Sequence, residues 1–375
     1  MKKDKLLFTP GPLTTSATVK EAMLRDLGSR DFEFIQTVQF VREKLLAVGE
    51  VSKSEGYEAV IMQGSGTFGI ESVISSVIPA SGHLLIVVNG VYGERISTMA
   101  KVHGIQQTKL MFDENEVPDV SKIEAAIDAD KSITHLAVIH CETTTGIINP
   151  IEAIGDLCSA KGICYIVDAM SSFGAVPLNV KKTKIDFLIS SSNKCIEGVP
   201  GFSFIIARKE SLLTCEGQAR SLSLDLFAQW KGLEADGQFR FTPPTHSLLA
   251  FAQALRELEE EGSVIGRAQR YKSNFETLLR GMKALGFKEY LEEEKRGYII
   301  TCFHYPEHPN FDFKKFYEFL NEKGFVIYPG KLSRVNCFRI GNIGRITTTD
   351  VQQLLEAIRV TLAEMGILLV VEGRV

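Results

Sequence analysis

Between residues 57 and 192 short apolar runs alternate with amphipathic stretches, and this alternation narrows the possible folds more than any other feature. Strands read at 57–62, 84–88, 134–140 and 163–167. Helices are predicted over 68–77, from 91 onward, and over 151–160. Near-continuous apolar strands separated by helices are the pattern of an α/β fold, a largely parallel sheet covered on both faces. Two further strands, at 185–189 and 202–207, bracket a loop of small residues that carries a lone lysine, Lys194. In such sheets ligands bind beyond the C-terminal ends of the strands, so the residues found there are the candidates for chemistry.

The flanks of this region read differently. FTPGP at 8–12 sets two prolines around a glycine, which gives a rigid extended arm or a plain entry turn. Helices are predicted over 16–27, capped by Ser16 or Thr18, and over 34–48, with Ile35, Val38, Val41, Leu45 and Val48 on one face. Residues 220–237 show no clear period, and Trp230, the single tryptophan, is expected to pack. Two prolines break 239–246, a strong helix follows at 247–261, and its acidic end with Gly262 marks a joint. Beyond it, helices at 267–285, 312–323 and 349–365 mix with strands at 298–303, 325–328 and 337–340, an α+β pattern. The expected organisation is an N-terminal arm at 1–17, a large domain at 18–261 and a small domain at 262–375.

Composition removes several function classes. With 375 residues, 45% of them hydrophobic, the chain can bury more than one core. A net charge of −4 argues against nucleic acid and anionic membranes as partners. The N-terminus lacks the apolar core of a secretory signal, and the apolar run at 365–371 is too short to span a bilayer. Seven scattered cysteines without CxxC spacing read as reduced thiols of a cytoplasmic protein and form no metal-ligand set.

The strand ends then supply a chemistry. Gln63-Gly64-Ser65-Gly66-Thr67 turns from strand into helix, offering backbone N–H groups and two hydroxyls as a phosphate cradle; it is equally a common structural turn. It matches neither the P-loop nor the GxGxxG fingerprint, which disfavours a nicotinamide-dependent oxidoreductase. Tyr92 follows the second strand and either stacks a ligand or packs. Thr143 lies in the hydroxyl-rich turn at 142–146, and Asp168 ends the strand at 163–167, capping a turn or facing the crevice. Lys194 alone reads as a solvated lysine in a hairpin. All of these together in one crevice are what pyridoxal phosphate demands: a lysine for a Schiff base, a carboxylate for the pyridine nitrogen, an aromatic face and an anion cradle. Burial beside the pyridinium would depress the lysine's pKa and make it a usable base.

FTPGP, QGSGT, NGVYGER, HCETTTG, VDAMSSFGA, SSNKCIEGVPG, RFTPPTH and CFRIGNIG resemble the class V, fold-type-I PLP aminotransferases over nearly the whole chain. The resemblance implies a large domain with a mostly parallel seven-stranded sheet, a smaller C-terminal α+β domain, and pyridoxal 5'-phosphate as cofactor. It implies that Lys194 is the Schiff-base lysine and Asp168 the partner of the pyridine nitrogen. Ser65, Gly66 and Thr67 become the phosphate cup, Thr143 the neighbour of the phenolic oxygen, and Tyr92 the stacking ring where many relatives carry tryptophan. Asn193 stands where some relatives have glutamine or histidine, which argues against cysteine desulfurase activity, and Cys195 becomes a packing thiol. Thr242 matches a position that reaches the neighbouring subunit's cofactor phosphate, implying a homodimer with shared sites. Gly11 and Arg339 fall on the substrate. Without the resemblance, Arg339 reads as part of a structural ion pair. The phosphonate transaminases of the family are the most similar branch, implying 2-aminoethylphosphonate as amino donor and pyruvate as the 2-oxo acid. Serine or alanine with glyoxylate is the alternative pair, and a PLP-fold module without catalysis is disfavoured by the intact Lys194 and Asp168.

Overall fold

The computed structural model describes residues 4–332 and 335–367. Seven strands form the main sheet: β1 (Tyr57–Gln63), β2 (His83–Val88), β3 (Gln106–Met111), β4 (His135–Ile139), β5 (Cys164–Asp168), β6 (Phe187–Ser191) and β7 (Phe202–Arg208). Their order is β1-β7-β6-β5-β4-β2-β3. Six run parallel, and β7 runs against its neighbours β1 and β6. The chain steps outward from β2 to β3, then returns across β2 to β4. That reversal opens a crevice at the C-terminal strand ends.

Six of these strands are buried apolar runs, the form that a sheet covered on both faces imposes. The exception is β3, an edge strand of sequence QQTKLM with no buried residue, which explains why apolar patterning did not reveal it. The helix after it, Val120–Ala129, is capped by Asp119 and likewise escaped the reading. Near the start the helix is shorter than expected: Ala17–Glu21 is helical, and Leu24 beyond it is 82% exposed. Residues 220–237, which showed no period, contain the helix Leu226–Asp236, where Trp230 packs beside Phe227.

A second core lies in the C-terminal module. Strands β8 (Ile300–His304), β9 (Tyr328–Pro329) and β10 (Cys337–Gly341) form an antiparallel sheet in the order β8-β10-β9. Helices Ser263–Ala284, Phe313–Glu322 and Thr348–Glu364 supply its other apolar faces. Phe287, Phe303, Phe316 and Phe338 gather at its centre, with Phe8 of the FTPGP arm buried in the same cluster. Leu6–Leu7 pair in parallel with Phe325–Val326, so the arm is stitched to this module before it runs on. Removing a buried ring such as Phe8 typically costs about 3–5 kcal/mol, so the anchor is firm.

None of the seven cysteines is in a disulfide. Among the described residues no helix is long and apolar enough to cross a membrane, and no cluster could hold a metal ion. The apolar run at 365–371 falls outside the described residues after Ile367.

Candidate active site

At the end of β1 the backbone turns at Gly64, φ +100°, into the helix Gly66–Val77. Ser65 occupies the N-cap without a side-chain cap bond, so the positive helix end stays open. A Cβ on Gly66 would sit 2.2 Å from the Met170 sulfur, so the helix start and the end of the Met170 side chain approach closely here. Arg95 Nη1 donates to Thr67 Oγ1 at 3.4 Å and lies over the Tyr92 ring, 4.9 Å from its centroid. Open helix end, hydroxyls and arginine make an anion cradle. Arg95 was missed in the sequence; its signal was the three-residue spacing from Tyr92, which sets both on one face of the helix Val91–Val102.

Ser65, Gly66, Thr67, Tyr92, Thr143, Asp168, Asn193 and Lys194 all line one cavity of about 200 Å³ at the crevice. Strands β1, β2, β4, β5 and β6 each deliver part of this wall from their C-terminal ends. Asp168 is buried, and its Oδ1 accepts one bond, from Met170 N at 2.8 Å. Burial pushes its carboxyl up to about 6, with the Met170 N–H, Lys194 and Arg95 holding it back. Lys194 is half-buried and reaches the cavity, and it makes no ion pair among the described residues. Burial brings its amine below the ordinary lysine value, opposed by nearby Tyr92, Cys195 and Asp168. The amine donates to Pro10 O at 2.5 Å, which brings the FTPGP arm over it. Gly11 has φ +108°, and a Cβ there would fall 2.8 Å from Lys194 Cδ. The hairpin reading of 185–207 holds for the strands, since β6 and β7 pair antiparallel, but the lysine between them faces a cavity.

The loop that carries Lys194 is braced from the small module. Glu197, at φ +67°, accepts from Tyr271 Oη at 2.6 Å and Arg270 Nη2 at 2.7 Å, while Arg267 Nη1 donates to Cys195 O at 2.5 Å. Cys195 Sγ donates to Ser171 O at 3.2 Å, and burial pushes this thiol up to about 12, as suits a packing residue. Asn193 accepts from Ser191 Oγ at 3.1 Å.

Two further residues gain meaning from the structure. Glu142 is fully buried; its Oε1 accepts from Thr144 N and Oγ1 at 3.0 and 2.6 Å, while Oε2 has no side-chain partner. Burial pushes this carboxyl up to about 7. Arg339, on β10, is 1% exposed. Its Nε donates to Pro329 O at 3.0 Å and its Nη1 to Thr143 O at 2.8 Å, so it does not line the cavity itself but stands behind Thr143, which does. It makes no ion pair among the described residues, so the structural-pair reading of this arginine does not hold. Thr242 lies apart: it is exposed, does not line the cavity, and its carbonyl accepts from the Gln63 side chain.

These residues fit pyridoxal phosphate. An uncapped helix end suits its phosphate, a raised buried carboxyl with few donors suits a ring N–H, and an unpaired, desolvated amine suits its aldehyde. With this sheet and small module, fold and site define a fold-type-I PLP-dependent enzyme. The chain belongs to the class V aminotransferase family, whose pattern matches residues 15–359. It is an aminotransferase, and pyridoxal 5'-phosphate is its cofactor. Over 359 residues it is 51% identical to the 2-aminoethylphosphonate–pyruvate transaminases of Salmonella schwarzengrund and Salmonella typhimurium, covering 95% of this chain and 97% of each of those proteins. Among solved structures it is similar to an alanine–glyoxylate aminotransferase from Nostoc sp., with a TM-score of 0.90, 25% identity and 96% coverage of both chains.

Proposed function

We propose that this aminotransferase moves an amino group from 2-aminoethylphosphonate to pyruvate, yielding phosphonoacetaldehyde and L-alanine. The observation that carries this reading is Arg339, a buried guanidinium directly behind Thr143 of the cavity lining, with no carboxylate of its own among the described residues. A buried charge of this kind needs an anion from outside, and a planar fork takes the phosphonate oxygens in one half-reaction and the pyruvate carboxylate in the other. The 51% identity with enzymes named for this reaction supports it.

Ser65, Gly66, Thr67 and Arg95 would hold the cofactor phosphate, Asp168 the ring nitrogen, Tyr92 the ring face, and Thr143 and Asn193 the ring edge. Bound pyridoxal phosphate supplies the electron sink for the carbon that gives up its proton. Lys194 anchors the cofactor and then acts as the base: burial lowers its pKa and so favours the neutral amine, and Nζ takes the proton from the donor's amine-bearing carbon. The Pro10 carbonyl holds that nitrogen in place, and Gly11 leaves room for it to move. Anionic Asp168 keeps the ring nitrogen protonated.

The same proposal makes the enzyme a two-fold homodimer, with Thr242 completing the neighbouring site. Phe68 and Phe241, 50% and 42% exposed, give this edge an apolar surface for a second copy. Seven thiols outside disulfides suit a cytoplasmic location.

Mixing the holoenzyme with 2-aminoethylphosphonate should bleach the visible absorbance of the bound cofactor, and pyruvate should restore it. The kcat/KM for this donor should exceed those for L-serine and L-alanine with glyoxylate. A higher value for either of those pairs overturns the assignment.

A further inference from the structure

We infer that Lys331 is a specificity-determining residue, whose ammonium adds the second positive charge that fits the Arg339 subsite to a dianionic phosphonate rather than a monoanionic carboxylate. The inference rests on the phosphonate reading above and concerns how one site serves two substrates of unequal charge.

Lys331 is tied by backbone geometry to Arg339. In the small sheet Tyr328 pairs with Arg339 and Pro329 with Phe338, and the Pro329 carbonyl accepts from Arg339 Nε at 3.0 Å. Gly330 N then donates to Cys337 O at 3.0 Å. A Cβ on Gly330 would lie 2.2 Å from the Cys337 sulfur and 2.4 Å from its carbonyl oxygen, so glycine is required and this approach is fixed. Lys331 is the next residue. Its backbone therefore leaves the sheet beside the strand that carries the substrate arginine, and its side chain turns toward the site: Nζ lies 5.5 Å from the Tyr92 ring centroid.

The surrounding charges leave a place for it. Arg95 is committed to Thr67 and the phosphate cradle, and Lys194 to the cofactor. Arg339 alone offers one charge, which matches the carboxylate of pyruvate. A phosphonate near neutral pH approaches two negative charges, as phosphate monoesters do with a second pKa of about 6. Lys331 makes no ion pair among the described residues and is exposed, so it can swing onto the second charge and return to water when a carboxylate is bound. Its reach into the site shows on Tyr92. Burial pushes that phenol up, yet the Thr143 hydrogen bond and the charges of Lys331, Lys194 and Arg339 together bring it below its ordinary value.

The test uses the holoenzyme and its Lys331→Gln and Lys331→Arg variants. Half-reaction kcat/KM is measured for 2-aminoethylphosphonate and for L-alanine, and inhibition constants for ethylphosphonate and propionate, which differ in charge and cannot react. For Lys331→Gln the ratio of the two kcat/KM values should fall by about 10–100-fold against phosphonate, the span of one charged contact. Ethylphosphonate inhibition should weaken far more than propionate inhibition, and Lys331→Arg should restore both preferences. Equal losses on phosphonate and carboxylate, or no loss on ethylphosphonate, overturn the inference. If the wild-type enzyme fails to turn over 2-aminoethylphosphonate, the functional reading falls, while the two inhibitors still decide the role of Lys331.

Discussion

Asp168 and Asp186 are both 3% exposed, one ending and one just preceding neighbouring parallel strands, and the sheet treats them in opposite ways. Asp186 stands just before β6 at the N-terminal edge. Tyr165 N donates to its Oδ2 at 2.8 Å, while Ser211 Oγ and Arg208 Nη2 reach its Oδ1 at 2.6 and 2.5 Å. Asp168 ends β5 at the C-terminal edge and has one amide donor. The cavity beside Asp186 is the larger, about 650 Å³ against about 200 Å³, yet around it Lys181 pairs with Glu55 and Lys184 with Asp156. Lys194, which lines the smaller cavity, and Arg339, behind its Thr143, have no carboxylate among the described residues, and nearby Glu142 keeps an oxygen without a side-chain partner. Volume does not locate the chemistry in this molecule. Charge left unpaired in a desolvated place does, because only a ligand can complete it.

The harshest way to break this contrast is Lys194→Ala. Loss of the proton carrier should lower turnover by about 10²–10⁴-fold and abolish the visible absorbance of the lysine-bound cofactor. The apoprotein should melt no lower, because the amine makes one bond and is held below its ordinary pKa by burial. A variant that kept both turnover and absorbance would remove Lys194 from the mechanism. Asp186→Asn probes the paired edge. It leaves Arg208 and Ser211 without their anion and should destabilise the fold by about 1–3 kcal/mol in urea titration, with kcat/KM little changed in the folded enzyme. A large loss of kcat/KM at full folding would show that the two edges are not separable.

Much of this was legible in the sequence, and the rest was not for identifiable reasons. Buried strands β1, β2 and β4 to β7 announce themselves because a sheet covered on both faces requires apolar runs. Edge strand β3 does not, since its solvated side can hold Gln106, Gln107 and Lys109 without cost. Lys194 and Asp168 could be proposed from their places at strand ends. The Pro10 carbonyl on Lys194, the Glu197 brace and the unpaired Oε2 of Glu142 could not, because each depends on segments far apart in the chain meeting at one point. Arg339 shows the limit most clearly: whether a strand arginine is paired is a property of its neighbours, and no local pattern reports it.

The last effect is smaller and opposite in sign to that at Asp186. Burial raises the Asp168 carboxyl from 3.8 to about 6, so the folded apoprotein holds its proton more tightly than the unfolded chain does. A raised acid favours folding fully below its unfolded value and loses that contribution as pH rises through about 6. Above pH 6 the folded apoprotein therefore carries a buried charge worth about 3 kcal/mol at most, two pKa units at about 1.4 each. Asp168→Asn removes the charge but buries an amide with few partners, which costs about 1–2 kcal/mol. The apoprotein should then gain about 1–2 kcal/mol at pH 8, and the gain should shrink as pH falls through about 6, where the folded carboxyl takes up its proton. Transamination should fall because the ring nitrogen loses its anion. Thermal melting of the apoprotein at pH 5 and pH 8 reads the sign. If Asp168→Asn lowered Tm at pH 8 as Asp186→Asn should, Asp168 would be a second structural carboxylate and the contrast between the two sheet edges would collapse.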